Sequence, residues 1–303
     1  MSPSRALSVA VVALVLLVSP ISSAAAQPRN ERPVLPIAME VMTFNIRTSA
    51  IPDGDDAWPL RKERVIETIA RLDPDVLGLQ EALTEQIEFI ARELPQYRWL
   101  GVDRGLNGGT GLSEATPIFY KHAELVPLES GTFWLGDMPN GSYRGRDGGR
   151  GGSRIVTWAR FHHLETGRDL WVYNTHLSPR PGQQHIVAAE RINERIAALP
   201  EGSAVIVLGD FNATAGESDT WRAATGGGLR DAWDAAAVRE GPAATYNGFR
   251  PVGDDEEGEG RIDWVLIGGP VDVSSAATII DSMHGHYPSD HFPVVAKLTI
   301  RPS

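Results

Sequence analysis

Asp210 and Asn212 follow directly on the run Ala204-Val205-Ile206-Val207-Leu208-Gly209. A carboxylate there can take a proton or orient a water, and a side-chain amide can donate to a phosphate oxygen. The same form recurs along the chain. Glu81 ends Val76-Leu77-Gly78-Leu79-Gln80, Asn45 ends the stretch from Ala38, and Asn174 and His176 close Leu170-Trp171-Val172-Tyr173. Asp263 lies early in Arg261 to Ile267, and Asp290 and His291 occupy the turn Tyr287 to Pro293. Singly, each has a plainer reading. Asp-Phe-Asn is a common turn, Glu81 an acid at a helix start, and a histidine beside an apolar strand a core residue. Together they supply hard oxygen ligands suited to Mg²⁺ or Mn²⁺, an acid to activate water, and histidines to meet phosphoryl charge. The chain has no cysteine. It also lacks a zinc-ligand spacing, a G-x-S-x-G elbow and a GxxxxGK[ST] loop.

These residues need strands to carry them. The run at Ala204 to Leu208 is too short for a helix and rich in β-branched residues, so it reads as a buried strand. In open α/β folds ligands bind at the carboxyl edge of such strands. Further strands are expected at Ala38 to Arg47, Tyr97 to Val102, Thr116 to Lys121, Leu125 to Leu128, Ala276 to Ile280 and Val294 to Ile300. Ile155 to Leu164 and Asp169 to Leu177 form a hairpin about Glu165-Thr166-Gly167. One helix starts with Pro59 in its first turn and turns Leu60, Val65, Ile66, Ile69 and Leu72 inward, until Asp73-Pro74 breaks it. A second carries Leu83, Ile87, Ile90 and Leu94. A third, Gln184 to Leu199, buries Ile186, Val187, Ile192, Ile196 and Leu199. Glu217 to Ala224 is a short fourth, stopped by Gly226-Gly227-Gly228. Strands outnumber helices, which predicts an α/β protein of two sheets with helices outside. Asp263 and His291 then meet at the cleft if their strands are neighbours in one sheet.

The ends and loops carry other signals. Arg5, the apolar run Ala6 to Val18 and Ala24-Ala25-Ala26 make residues 1–26 a secretory signal peptide cleaved after Ala26, leaving no membrane span. The protein is then secreted or periplasmic, with 27–37 a loose lead-in and 38–300 one domain. A core of this size needs no disulfide. The formal net charge is −11, and loss of Arg5 makes the mature chain more acidic still. Such a chain does not attract polyanions at long range, which argues against tight, non-specific DNA binding. Asn140 to Ser153 is rich in Gly and Arg and reads either as a phosphate-gripping flap or as a solvated insertion. Asp254 to Glu259 reads as a solvated acidic loop.

Thr43-Phe44-Asn45, Leu79-Gln80-Glu81, Asn174-Thr175-His176-Leu177, Gly209-Asp210-Phe211-Asn212, Arg261-Ile262-Asp263-Trp264 and Ser289-Asp290-His291 occur in this order. The set resembles the endonuclease/exonuclease/phosphatase superfamily, which includes deoxyribonuclease I, abasic-site endonucleases, deadenylases, neutral sphingomyelinases and inositol polyphosphate 5-phosphatases. The likeness spans residues 38–300. Trp58 to Arg64, Thr132 to Leu135 and Thr157 to Phe161 are similar to a bacterial secreted group of metal-dependent hydrolases. The resemblance implies a four-layer α/β sandwich, with two mixed, largely antiparallel β-sheets flanked by helices. It implies Glu81, Asn45 and Asp290 as metal ligands for Mg²⁺ or Mn²⁺, and Asp210 as the group that orients or deprotonates water. Asn212 and His176 would hold phosphate oxygens, and Asp263 would orient and charge His291. The expected substrate is a phosphoester, on a small molecule, a nucleic acid or a lipid headgroup, cleaved by a monomer. An extracellular nuclease of the same fold is the alternative enzyme, and a non-catalytic binding protein on this same scaffold is the alternative from another class.

Overall fold

The computed structural model describes residues 35–105, 113–136, 154–180, 182–250 and 260–302. The leader, most of the lead-in, the Asn140 to Ser153 loop and the Asp254 to Glu259 run lie outside the described residues. The first half of the chain holds β1 (Ile37–Asn45), α1 (Trp58–Leu72), β2 (Val76–Gln80), α2 (Thr84–Glu93), β3 (Tyr97–Leu100), β4 (Ile118–Lys121) and β5 (Leu125–Trp134). Next come β6 (Ile155–His163), β7 (Arg168–His176), α3 (Gln183–Ala197), β8 (Val205–Asp210) and α4 (Asp219–Gly226). The chain closes with β9 (Arg230–Asp231), α5 (Ala232–Ala235), β10 (Val238–Glu240), β11 (Asp263–Gly268), β12 (Val271–Thr278) and β13 (Val294–Ile300).

The strands form two sheets, ordered β10-β12-β13-β1-β2-β4-β3 and β5-β6-β7-β8-β11-β9. Both are mixed. The pairs β1/β2, β10/β12 and β7/β8 are parallel and the rest antiparallel. Three apolar clusters separate four layers. Val41, Val76 and Ile118 of one sheet pack on Val172, Ile206, Leu208 and Val265 of the other. Outside the first sheet, Phe44 and Leu79 meet Val65, Ile69, Ile87 and Ile90 of α1 and α2. Outside the second, Val207 and Leu266 meet Ala188, Ile192 and Ala224 of α3 and α4. This is the expected four-layer sandwich.

Strand alternation places the chemistry. Successive side chains point to opposite faces. In β8, Ile206 and Leu208 face the other sheet, so Asp210 does too. By the same count Leu170 and Val172 carry Asn174 and His176 with them, Val265 and Ile267 carry Asp263, and Met39 and Val41 carry Asn45. The polar residues thus continue the rows of the inter-sheet core at one end of the sandwich.

Several local expectations are corrected. Leu125 to Leu128 is the start of a longer strand, β5, which runs on to Trp134 with a register shift between Pro127 and Glu129. Ala276 to Thr278 is the end of the longer β12, and α4 continues to Gly226. Leu60 is 60 % exposed, and Trp58 and Arg61 take the inward positions with Val65, Thr68 and Ile69.

Candidate active site

Asp210 is buried at the end of β8, opposite Asp263 on antiparallel β11 and beside His176 on parallel β7. Like charges directly opposite on neighbouring strands repel. His291 answers both carboxylates. Its Nδ1 lies 2.9 Å from Asp263 Oδ2 and its Nε2 3.8 Å from Asp210 Oδ2. Burial alone would pull the His291 pKa down, but Asp263 and Asp210 outweigh it and push it up to about 10. Burial, and then the Asp263 charge, push Asp210 up to about 7. His176 is the other kind of histidine. Burial, with Arg154 and Arg104 nearby, holds it well below the usual range, so it is neutral at pH 7. Its Nε2 lies 3.6 Å from Asp210 Oδ2. Two imidazoles, one charged and one neutral, therefore converge on one carboxylate.

The Asp263–His291 pair is the expected one, by a different route. Asp263 begins a strand of the six-stranded sheet, whereas His291 leads into β13 of the seven-stranded sheet. They meet because the site spans the gap between sheets, not because their strands are neighbours. Arg261 does not compete for Asp263, since it pairs with Asp231 at 2.8 Å. Thr245 holds the junction together. Its Oγ1 accepts the N–H groups of Ile262 and Asp263, and its carbonyl accepts that of Phe292.

Asn45, Glu81 and Asp290 lie beside this group. Asn45 Nδ2 donates to Asp210 Oδ2 at 2.9 Å and to Glu81 Oε1 at 3.2 Å. Its Oδ1 accepts the N–H of Arg47, which fixes the amide's orientation. Glu81 Oε2 accepts the N–H of Thr48. Asp290 meets Arg47 at 3.4 Å, and burial raises its pKa, with Glu81 adding to the shift. Arg47, Glu81 and Asn212 all hold left-handed backbone, with φ of 54°, 57° and 48°, just past β1, β2 and β8. Non-glycine residues adopt this region seldom, and such strain gathers at functional sites.

The donors suit a hard divalent cation. Glu81, Asp210 and Asp290 offer oxygen, the Asn45 amide hydrogens sit where two carboxylates converge, and buried Asp263 Oδ1 has no partner. Asp210, Asp263 and His291 also place one ligand atom each within 4.8 Å of one another.

Two expected residues stand further back. Asn212 Nδ2 donates to the Leu177 carbonyl and its N–H to Asp210 Oδ1, so it orients Asp210 and ties β7 to β8. Asn174 is a staple between the sheets. Its Nδ2 donates to the carbonyls of Leu79 and Pro117, and its Oδ1 accepts from Gln80. Sequence reasoning missed Arg61, Thr245 and Arg154. Arg61 is fully buried and donates to the carbonyls of Ile46, Arg47, Asp56 and Pro288, which pins the β1 loop to the His291 turn. Its place in the inward stripe of α1, four residues before Val65, was the available signal.

The sequence matches the Endonuclease/Exonuclease/phosphatase family over residues 42–291. No curated protein matches the chain. Among solved structures, a family member from Bacteroides vulgatus is 29 % identical with a TM-score of 0.77, covering 88 % of this chain and 100 % of its own. A mannosyl-6-phosphatase from Bacteroides thetaiotaomicron is 26 % identical with a TM-score of 0.77, covering 86 % and 99 %. The human nocturnin catalytic domain, at 20 % identity and a TM-score of 0.66 over 87 % and 95 %, shares the fold. The family match over most of the chain, on a sandwich whose inter-sheet rows end in carboxylates and histidines, shows that this chain belongs to the endonuclease/exonuclease/phosphatase family of phosphoester hydrolases.

Proposed function

We propose that the protein is an exported, Mg²⁺- or Mn²⁺-dependent hydrolase of a small or soluble phosphate ester, using an activated water. The observation that carries this reading is the convergence of His176 and His291 on Asp210, at 3.6 and 3.8 Å. Asp210, near 7 and oriented by Asn45 and the Asn212 N–H, takes the proton of the attacking water. His291, kept charged by Asp263, meets the negative charge that builds on the phosphoryl oxygens. His176, neutral, donates to a phosphoryl oxygen without adding charge. Glu81 would hold the cation, with Asn45 and Asp290 beside it, and the cation would supply charge neutralisation at the phosphate.

The similar mannosyl-6-phosphatase supports a sugar phosphate as the first compound to try. The acidic chain disfavours the nuclease alternative. Export rests on residues 1–26. The test is a screen of the mature chain against hexose 6-phosphates, nucleotides, nucleic acids, phosphoinositides and sphingomyelin, with Mg²⁺ and with Mn²⁺. Cation-dependent hydrolysis of the small compounds is the expected result. A preference for nucleic acid would replace this reading with the nuclease, and no hydrolysis of any compound would overturn it.

A further inference from the structure

Arg154 stands just before β6, and Glu114, Asp210 and Glu81 favour its charge only from a distance. Its Nε is shut off from solvent with no partner. Its Nη1 reaches only the His176 carbonyl, at 3.4 Å, which is long for a hydrogen bond. Among the described residues no carboxylate lies within ion-pair reach of it. Arg104 adds like charge nearby but is committed to Glu114 at 2.6 Å. Burying a charge without a partner is among the costlier arrangements a fold can keep. Burial accordingly pulls Arg154 down to about 10.

The guanidinium does not point into packed core. It lines a small pocket with Arg104, Glu114, Thr116, Ile155 and His176. Thr116 Oγ1 meets only Thr157 Oγ1, at 3.4 Å, and is a further donor on the wall. The pocket also has a defined position relative to the reacting centre. His176 turns Nε2 to Asp210 and Nδ1 toward Glu114, 4.0 Å away. One imidazole ring therefore separates the pocket from the place where the ester is cleaved. Two groups of one small molecule can span that distance.

We propose that this pocket receives a second anionic group of the substrate, a phosphate or carboxylate other than the one cleaved, and that Arg154 holds it. The guanidinium gains the direct ion-pair partner that no described residue supplies, in the planar geometry it recognises best. The Arg104–Glu114 pair tunes the pocket, because the Glu114 carboxylate repels an incoming anion and occupies Arg104. The assignment rests on the phosphoester reading for the identity of the ligand, but not for the charge of the pocket.

Calorimetric titration without divalent cation tests it apart from turnover. The probes share a six-carbon chain and a 6-phosphate: glucose 6-phosphate has no second anion, 6-phosphogluconate adds a carboxylate, and glucose 1,6-bisphosphate adds a phosphate. The wild-type chain is expected to bind at least one of the doubly anionic compounds tenfold or more tightly than glucose 6-phosphate, and the tighter of the two names the group. Arg154→Met should cut that preference to within twofold. Glu114→Gln should strengthen binding of the preferred compound threefold or more, a gain that a damaged fold does not give. Should Arg154→Met fail to fold by near-ultraviolet circular dichroism, Arg154→Lys and Glu114→Gln decide. Equal binding of the three compounds, no binding of any, or a preference that survives loss of Arg154 would overturn the assignment. Phosphate release is measured in parallel with Mg²⁺. An Arg154-dependent preference with no turnover of these compounds or of any other in the screen sinks the phosphoester reading and spares the pocket, whereas turnover without the preference does the reverse.

Discussion

His291 would be a poor acid-side catalyst on burial alone, because desolvation favours the neutral ring. Asp263, 2.9 Å from Nδ1, reverses that balance and also fixes which nitrogen faces Asp210. Removing its charge should therefore cost chemistry before it costs binding. Asp263→Asn is expected to lower kcat by about a hundredfold or more with a small change in KM. His291→Ala should cost a similar factor, and the double variant little more than either, since contacting residues that act as one unit are not additive. Additive losses, or an unchanged kcat in a folded Asp263→Asn protein, would remove the pair from the mechanism. The pH profile follows from the same charges. Asp210 must be ionised to accept a proton, so kcat/KM should rise through pH 7. His291 must stay protonated, so kcat/KM should fall as pH nears 10. In Asp263→Asn the raising carboxylate is gone, and the falling limb should move to lower pH. The identity of this pair was legible through the family resemblance, carried by Arg261-Ile262-Asp263-Trp264 and Ser289-Asp290-His291. The path was not, since which sheet a strand joins depends on pairings far apart in the chain.

At the scale of elements, α1 shows what periodicity misses. Apolar spacing pointed to Leu60 as an inward residue, yet the helix turns Arg61 inward and leaves Leu60 in solvent. The reason lies outside the helix. The carbonyls of Ile46, Arg47 and Pro288 belong to loops that carry the site, and buried carbonyls need donors. One guanidinium supplies them all, and Trp58 packs against it at 5.2 Å. Arg61→Met should destabilise the fold by about 3 kcal/mol or more, because several acceptors lose a charged donor at once. Arg61→Lys keeps the charge but not the planar fork, and should lower kcat more than it lowers the melting temperature. Equal kcat in a folded Arg61→Lys protein would leave Arg61 with a packing role only. Gly78 makes the matching point across the sheets. A Cβ there would stand 2.8 Å from Asn174 Cγ, so Gly78→Ala should push β2 off the Asn174 staple and cost about 1–3 kcal/mol in a denaturant melt. Neither requirement shows in local sequence, since each is set by a partner brought in by the fold.

For the whole molecule, the layer order was readable because each strand is short, apolar and punctuated, and the helical faces between them have the right period. The site was readable because alternation carries the inter-sheet rows out into polar residues. What stayed hidden were residues with no local signal, Thr245 and Arg154 among them, because contacts far along the chain place them. The proposed export is tested at this scale too: mass spectrometry of the protein recovered outside the cytoplasm should find a mature start at or near Gln27. An intact Met1 to Ala26 segment would refute it. The cation is the larger test, because the fold gathers carboxylates from both sheets. Asp210 and Asp263 face each other across β8 and β11, while Glu81 and Asp290 approach from β2 and the His291 turn. His291, Arg47 and the Asn45 amide oppose that charge directly. A divalent ion bound to the folded chain but not to the unfolded one should stabilise it by mass action, by about 5 °C in melting temperature at a hundredfold excess over Kd. Glu81→Gln removes the carboxylate best placed as ligand, so it should abolish the Mg²⁺-induced rise while leaving the cation-free melting temperature equal or higher. The sign of that second change matters. A ligand carboxylate among other carboxylates costs stability when the ion is absent, whereas a structural carboxylate would cost stability when removed. A variant that melts lower without cation and still gains the full Mg²⁺ shift would strip Glu81 of its role and move the ion toward Asp210, Asp263 and His291.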